Sequence, residues 1–484
     1  MLFNSGVFLK FFGAFLLLYY LSRPSVRARN VLVVAASYLF YGWWDYRLLS
    51  LLFLSSLLDY AVGLGLERNQ NAERRRLWLS CSIAGNLGML GFFKYWDFFA
   101  DSLATLLTQL GVAAHPPILH VILPVGISFY TFQTMSYALD VYRRQMPATP
   151  SFVNFLAYVS FFPQLVAGPI ERASHLLPQF ERTLTITPAM LSEGVWLMIW
   201  GMFKKVVVAD NLAPLVDMAY QHPVGSGPLV VLGTVAFGLQ IYGDFSGYSD
   251  IARGLAKVLG FDIMLNFNLP YAATNVREFW RRWHISLSTW LRDYLYLCLG
   301  GNRRGAFRTR VNLLLTMLLG GLWHGAAWNF VLWGAWHGVG LLVHRWWSER
   351  DGDGKRSGAR GASDAVPLRQ AVGPVSRLVA WSATMAFVCY GWLLFRAGSF
   401  DQIVTLTKAL GNPVCPAWVG SYLLNLTLFA APLVAMQVWQ SGKGGLLAPL
   451  ALPMWARQML QGALLVCILV FWGKEATPFI YFQF

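Results

Sequence analysis

Charge is the scarce ingredient of this chain. Asp, Glu, Lys and Arg make up 13% of the 484 residues, where soluble domains carry about 25%. Hydrophobic residues supply 56% and aromatics 15%, and the mean hydropathy is +0.48. This shortage excludes an ordinary water-soluble globule. The net charge of +15 does not point to nucleic acid, because no polar basic domain exists to carry such binding. Cysteine is also sparse. Cys81, Cys298, Cys389, Cys415 and Cys467 are widely spaced with no CxxC pair, so they read as small apolar packing residues rather than disulfide or metal ligands. No HExxH motif or close histidine pair is present, so no metal is expected. No GxSxG elbow marks a serine nucleophile. Short alternating segments of a membrane barrel are missing, and no internal repeat is visible.

What remains is a series of long apolar runs, which gives an all-α polytopic membrane protein. A bilayer core takes about 20 apolar residues per helix. Candidate spans are 5–22, 30–44, 47–66, 77–96, 118–141, 152–169, 190–208, 228–249, 276–299, 311–328, 330–347, 377–395, 419–438 and 455–473. Residues 1–484 are expected to form one domain with 11–14 membrane-embedded helices, some of them re-entrant. The run from Val7 to Leu21 lacks a basic start and a small-residue cleavage site, so it reads as the first span, not a signal peptide. Segment 152–169 holds Pro163, Gly168 and Pro169 and should break inside the membrane. Basic clusters follow the first, third and fifth spans: Arg23, Arg27 and Arg29; Arg68, Arg74, Arg75 and Arg76; Arg143 and Arg144. The stretch from Asp97 to Pro117 has no Lys or Arg. Positive-inside bias then puts the N-terminus outside and these loops, with 251–310 and 348–376, in the cytoplasm. The stretch 348–376 is rich in Gly, Ser and charge and reads as a flexible loop.

Against this apolar background the polar residues stand out. His324 lies in Gly320-Gly321-Leu322-Trp323-His324-Gly325, at about mid-span on this topology. An ionisable side chain at membrane depth usually serves a cavity, a relay or an active site. Unperturbed imidazole titrates near pH 6.5, and burial favours its neutral form. Neutral imidazole accepts a proton, so it suits general-base activation of a hydroxyl. His337 has the bland alternative of a satisfied core histidine, and His344 that of an interfacial residue. A second histidine, His284, falls in a stretch where Trp283, Trp290 and Tyr294 share one helical face. His284, Ser288 and Arg292 fall four apart on an adjacent face. The same pattern also fits an interfacial amphipathic helix. Two further motifs carry open readings. Phe161 to Arg172 is either a helix–loop boundary or a re-entrant wall, with Glu171 and Arg172 at its cytoplasmic rim. Gln240 to Asp250 either lines a polar cavity or caps a helix.

Phe161 to Arg172, Tyr242 to Asp250, Arg277 to Tyr296, Gly320 to Asn329 and the terminal Pro478 to Phe484 together resemble the membrane-bound O-acyltransferase family. The likeness is to its bacterial, alginate O-acetyltransferase-like branch, with the D-alanyl transfer proteins of teichoic acid synthesis as relatives. The resemblance implies a multi-helix fold with a central funnel or tunnel. It places the family's central histidine at His324 and a second catalytic position at His284. It implies that acetyl passes from a cytoplasmic thioester donor, on coenzyme A or an acyl carrier, across the membrane for O-acetylation of an exported polysaccharide. Arg277, Arg281, Ser288, Trp323 and Asn329 are the expected substrate-binding residues, with Arg282 also placed to attract donor phosphates. No cofactor is expected to stay bound. The implied setting is the bacterial inner membrane, with membrane lipid, periplasmic acetyl-transfer or polysaccharide-modifying proteins and an acyl carrier protein as partners, and no nucleic acid. D-alanyl transfer, a glycan-precursor transporter or flippase, and an assembly subunit that only recruits acetyltransferases are the competing readings.

Overall fold

Capping side chains set where many helices begin. Ser5, Ser25, Asn71, Ser151, Thr187, Asn275 and Ser399 each accept a hydrogen bond from a backbone N–H of the first turn, relieving donors with no intrahelical partner. The computed structural model describes residues 1–112, 116–221, 225–350, 373–443, 445–473 and 477–480. Its helices are α1 (Gly6–Ser22), α2 (Val26–Gly42), α3 (Leu49–Arg68), α4 (Ala72–Leu90), α5 (Trp96–Gln109), α6 (Ile127–Tyr142), α7 (Phe152–Ser160), α8 (Ala173–Phe180), α9 (Pro188–Phe203), α10 (Asp210–Gln221), α11 (Gly227–Val258), α12 (Val276–Arg282), α13 (Ile285–Trp290), α14 (Gly305–His324), α15 (Trp328–Arg350), α16 (Pro374–Arg396), α17 (Phe400–Ala409), α18 (Val419–Lys443) and α19 (Met454–Val470). No strand occurs among the described residues. The expected fold class therefore holds.

The helix limits differ from those of several expected spans. Among the described residues, four helical stretches are both long and apolar enough to cross a bilayer: Tyr46–Arg68, α11, α16 and α18. The apolar α1 and α19 are shorter. Other apolar segments are interrupted. Segment 77–96 passes into a π-helical turn at Gly91–Tyr95, and 190–208 into another at Lys204–Ala209. Segment 118–141 becomes helical only at Ile127. The loop expected at 348–376 is helical at both ends, since α15 runs to Arg350 and α16 starts at Pro374; its centre, 351–372, lies outside the described residues.

The chain forms two compact units. The first comprises Met1–Asp210, Tyr242–Leu265 and Pro449–Phe484; the second comprises Asn211–Ile241 and Asn266–Ala448. In the first, α7 ends at Ser160 and Phe161–Gly168 continues as buried turns, the break that its prolines and glycine predicted. Phe162 N–H donates to Ser37 Oγ at 3.1 Å, and Gln164 Nε2 to Tyr158 O at 3.1 Å, so side chains serve backbone groups that the helix has released. The Gln240–Asp250 motif also resolves. Lys205 Nζ lies 2.8 Å from Asp210 and 2.6 Å from Asp244, while Lys204 Nζ lies 2.7 Å from Asp250. Asp244 also accepts from Ile480 N–H at 2.6 Å, and Lys205 donates to Pro478 O at 3.3 Å. These carboxylates hold buried lysines and the C-terminal segment in place.

At the rim of the same unit, His175 bridges two carboxylates, Glu171 at 2.9 Å and Asp262 at 3.7 Å. Its pKa is raised to about 10 by the Asp262 carboxylate and by the Glu171 carboxylate, to which it is hydrogen-bonded. The folded value lies above the unfolded value of about 6.5, so this contribution is complete below pH 6.5 and is lost as pH rises toward 10. The melting temperature of the wild type in detergent is expected to fall toward that of His175→Gln between pH 6.5 and 10. A difference that stays constant across this range removes the charged bridge.

In the second unit, α14 and α15 form a tightly packed hairpin. A side chain at Gly321 would strike Phe330 O and come within 3.1 Å of Gly334 Cα; one at Gly334 would strike Met317 O. Small residues at these crossings allow backbone-to-backbone approach. Gly321→Ala should destabilise the protein by about 1–3 kcal/mol. Gly88→Ala, where no atom lies within 4 Å of the added carbon, should be neutral or slightly stabilising. Equal melting temperatures for the two variants would contradict the hairpin packing.

Candidate active site

The site is built in the second unit by two interruptions of helix. The stretch 276–296 is not one helix, so the two-face register expected for it fails. Helix α12 ends at Arg282, α13 starts at Ile285, and a π-helical turn occupies Leu291–Tyr296. His284 occupies the break with φ of 44°, a left-handed conformation that non-glycine residues seldom adopt. The break persists because residues 266–268 run alongside it. Asn268 N–H donates to Arg282 O at 2.9 Å, and Ile285 N–H donates to Asn266 O at 2.9 Å.

Asn266 also fixes the histidine ring. Its Oδ1 lies 3.0 Å from His284 Nδ1 and accepts from Ser286 Oγ at 2.9 Å and Ser286 N–H at 3.4 Å. The backbone N–H can only donate, which identifies this atom as the amide oxygen. Nδ1 of His284 therefore carries the proton in the neutral ring, and Nε2 is the accepting nitrogen. Both Asn266 and His284 are fully buried.

His324 reaches the same place from another element. It is the last residue of α14, followed by extended Gly325 at the hairpin turn, so it ends a helix rather than lying midway along one. Gly325 is packed too closely on the Phe330 ring to carry a side chain. The His324 ring is 4% exposed in residue terms and stands edge-to-face with Trp323 at 5.1 Å, Trp333 at 5.0 Å and Phe395 at 5.4 Å between centroids. His284 and His324 are 6.3 Å apart, and Trp323 touches both rings. The two predicted histidines, 40 residues apart in sequence, thus converge within one aromatic-walled site.

The other expected residues divide. Trp323 is part of the wall. Arg277 and Arg281 are exposed on α12, with Arg345 of α15 near enough for its charge to act on Arg277. Arg282 is held by Glu278 at 2.8 Å. Asn329 donates to Phe395 O and Ala397 O at 3.2 and 2.9 Å, closing the end of α16. Ser288 donates to Trp283 O at 3.3 Å. Asn329 and Ser288 thus each make structural hydrogen bonds. Asn266, Trp333 and Phe395 were not foreseen, because a lone asparagine or aromatic has no sequence periodicity that marks it as a site residue. Among the described residues, no group of three His, Cys, Asp or Glu side chains is placed to hold a metal.

The profile of the membrane-bound O-acyltransferase family matches residues 38–350, a stretch that contains both histidines. The chain belongs to that family. It is an O-acyltransferase and a multi-pass membrane protein. Among its relatives, a probable alginate O-acetylase of Azotobacter vinelandii is 44% identical over 83% of this chain and 76% of its own length. One from Pseudomonas putida is 41% identical over the whole of both chains. A peptidoglycan O-acetyltransferase of Helicobacter pylori is 33% identical over 85% of this chain and 80% of its own.

In this O-acyltransferase, Asn266→Leu should leave His284 without its oriented proton. Acyl transfer is expected to fall about 10–100-fold, as when partners that orient a functional histidine are lost. Asn266→Asp, which keeps an accepting oxygen, should be milder. Undiminished transfer by Asn266→Leu in membranes of equal protein content would remove the orienting role.

Proposed function

We propose that this protein moves acetyl groups from a cytoplasmic thioester donor across the bacterial inner membrane, so that an exported polysaccharide becomes O-acetylated. The convergence of His284 and His324, 6.3 Å apart behind aromatic walls, is the observation that carries this reading. The similarity to alginate and peptidoglycan O-acetyltransferases over most of the chain supports acetyl as the group transferred and a polysaccharide as its final destination. Greater identity to the alginate enzymes favours an alginate-like exopolysaccharide.

In this mechanism His324 accepts the proton of an acceptor hydroxyl as its oxygen attacks the thioester carbonyl carbon. The tetrahedral intermediate collapses, the C–S bond breaks, and the departing sulfur takes up the proton to leave as a thiol. General-base assistance of this kind is worth about 10²–10⁴ in rate. The neutral His284 ring has its proton directed at Asn266, so Nε2 serves as an acceptor that positions an N–H or O–H of a substrate. That geometry does not suit donation to the oxyanion. Arg277 and Arg281, exposed and among cationic neighbours, supply the charge that attracts donor phosphates. The acceptor hydroxyl belongs to a periplasmic acetyl-transfer partner or an intermediate carrier, reached from the outer side, with the N-terminus also outside. A donor presented by an acyl carrier protein fits the same cationic entrance.

His324→Ala is expected to lower acetyl transfer by at least about 10²-fold, read as loss of ester-linked acetate from the secreted polymer. Membrane insertion and protein level should be unchanged. Normal acetylation in this variant would overturn the base assignment. It would instead favour a recruiting or transport role.

A further inference from the structure

Asp59 places a carboxylate midway along the apolar stretch Tyr46–Arg68, and it is fully buried. Among the described residues its hydrogen-bond partners are all neutral. Its two oxygens receive the Ser82 hydroxyl and Asn86 Nδ2, and the Thr134 hydroxyl lies within reach. Asn86 Nδ2 also donates to Ser82 O at 3.0 Å. A backbone carbonyl can only accept, so the amide of Asn86 is fixed with Oδ1 on its other side. Tyr137 of α6, the ionisable side chain that feels this carboxylate, is itself neutral and accepts from Thr149 N–H at 3.2 Å. No Lys, Arg or His among the described residues pairs with Asp59. A carboxylate in apolar surroundings is paired, neutralised or bound to a metal ion.

The neighbouring oxygens are spaced for an ion rather than for one another. Ser55 Oγ and Thr134 Oγ1 each lie 3.3 Å from Asn86 Oδ1 and 3.5 Å from each other. Hydroxyl hydrogen bonds cluster at about 2.7–2.8 Å, so these are poor bonds. Oxygens on one face of an octahedron, each about 2.4 Å from a central ion, lie about 3.4 Å apart. The triangle has edges of that length. Magnesium would draw the edges in to about 2.9 Å. Calcium has the right size, but its affinity depends on the number of charged ligands, and Asp59 is the one carboxylate in the cluster. Sodium is similar in size with half the charge. Thr134 Oγ1 lies 3.3 Å from Thr131 O, which can take its proton and leave its lone pairs for the ion. Ser55, Asn86 and Thr134 are fully buried. The helices that carry them sit close: a side chain at Gly63 would strike Tyr137, and one at Gly85 would strike Leu58.

We infer that Asp59, Ser55, Asn86 and Thr134 bind a sodium ion between α3, α4 and α6 of the first unit. The carboxylate supplies the balancing charge, and hydroxyl and amide oxygens replace the ion's water shell. Such ligands suit a hard cation, unlike the imidazole and thiolate sets that hold transition metals. The ion neutralises a buried charge and ties three helices together, so the folded state gains stability as sodium rises. The two histidines belong to the second unit, and the ion takes no part in the chemistry proposed for them.

The test uses the full-length protein in lipid nanodiscs and measures binding of radioactive sodium above the background of empty nanodiscs. Melting temperatures are read in parallel in NaCl, KCl and choline chloride at equal ionic strength, which holds general screening constant. The wild type is expected to bind sodium saturably and to melt higher in NaCl than in choline chloride. Unlabelled NaCl should displace the bound ion far better than KCl. Asp59→Asn keeps the shape and removes the charge; it should lose both the saturable binding and the sodium-dependent rise in melting temperature. Thr134→Val keeps the carboxylate and should weaken sodium binding by about 10-fold or more, since even outer partners of a metal site are worth about 10–100-fold. It decides the matter if Asp59→Asn does not accumulate. Absence of saturable binding by the wild type overturns the site and leaves Asp59 a protonated carboxyl. Sodium binding that is unaltered in both variants overturns it as well, as does equal displacement by KCl.

Discussion

One carboxamide oxygen holds the site in its shape. Asn266 Oδ1 receives His284, the Ser286 hydroxyl and the Ser286 backbone together, at a point where a left-handed residue interrupts the helix. A residue held in that conformation costs about 1–3 kcal/mol. In apolar surroundings the freed backbone groups would add to the cost, because water is not there to meet them. Residues 266–268 meet them instead. This pairing holds His284 in the break between α12 and α13, facing the end of α14. The placement of His284 is a consequence of where a helix stops.

The two units carry polar groups in different ways. In the first, the buried lysines are matched: Lys204 with Asp250, and Lys205 with Asp210 and Asp244. Removing one member of such a set leaves an uncompensated charge, which is far more damaging than the net worth of the pair. These residues are therefore stability elements, and their carboxylates are not available as acids or bases. In the second unit, the deeply buried ionisable groups are imidazoles set among aromatic rings, with the arginine cluster kept at the surface. Neutral histidine is affordable there because only its hydrogen bonds have to be met. Helix α11 contributes to both units.

The class of fold was legible because it follows from composition and run length, quantities that need no tertiary information. His324 and His284 were legible for a related reason: each stands alone against apolar neighbours, so its expense is visible in the sequence. Their meeting was not deducible from spacing, since it depends on a hairpin and on the kink that Asn266 stabilises. The same kink defeated the face assignment of Ser288, because a 3.6-residue repeat has no meaning across a break in the helix. Asn329 donates to Phe395 O and Ala397 O, partners that no spacing in the sequence announces. Asp244 and Asp250 were ambiguous until Lys204 and Lys205 came beside them, and that contact spans some forty residues of sequence.

The aromatic setting has a consequence for the proposed chemistry. When His324 takes a proton, a cation forms where charge is costly. It is stabilised chiefly by the oxyanion that forms in the same step, because opposite charges attract strongly at low dielectric. Proton uptake and carbonyl attack are therefore energetically coupled, and neither proceeds far without the other. A water molecule that enters without a positioned thioester gains little from the base. On the proposed mechanism, walls of Trp323, Trp333 and Phe395 would limit wasteful hydrolysis twice, by excluding solvent and by making the base effective only when donor and acceptor are both in place.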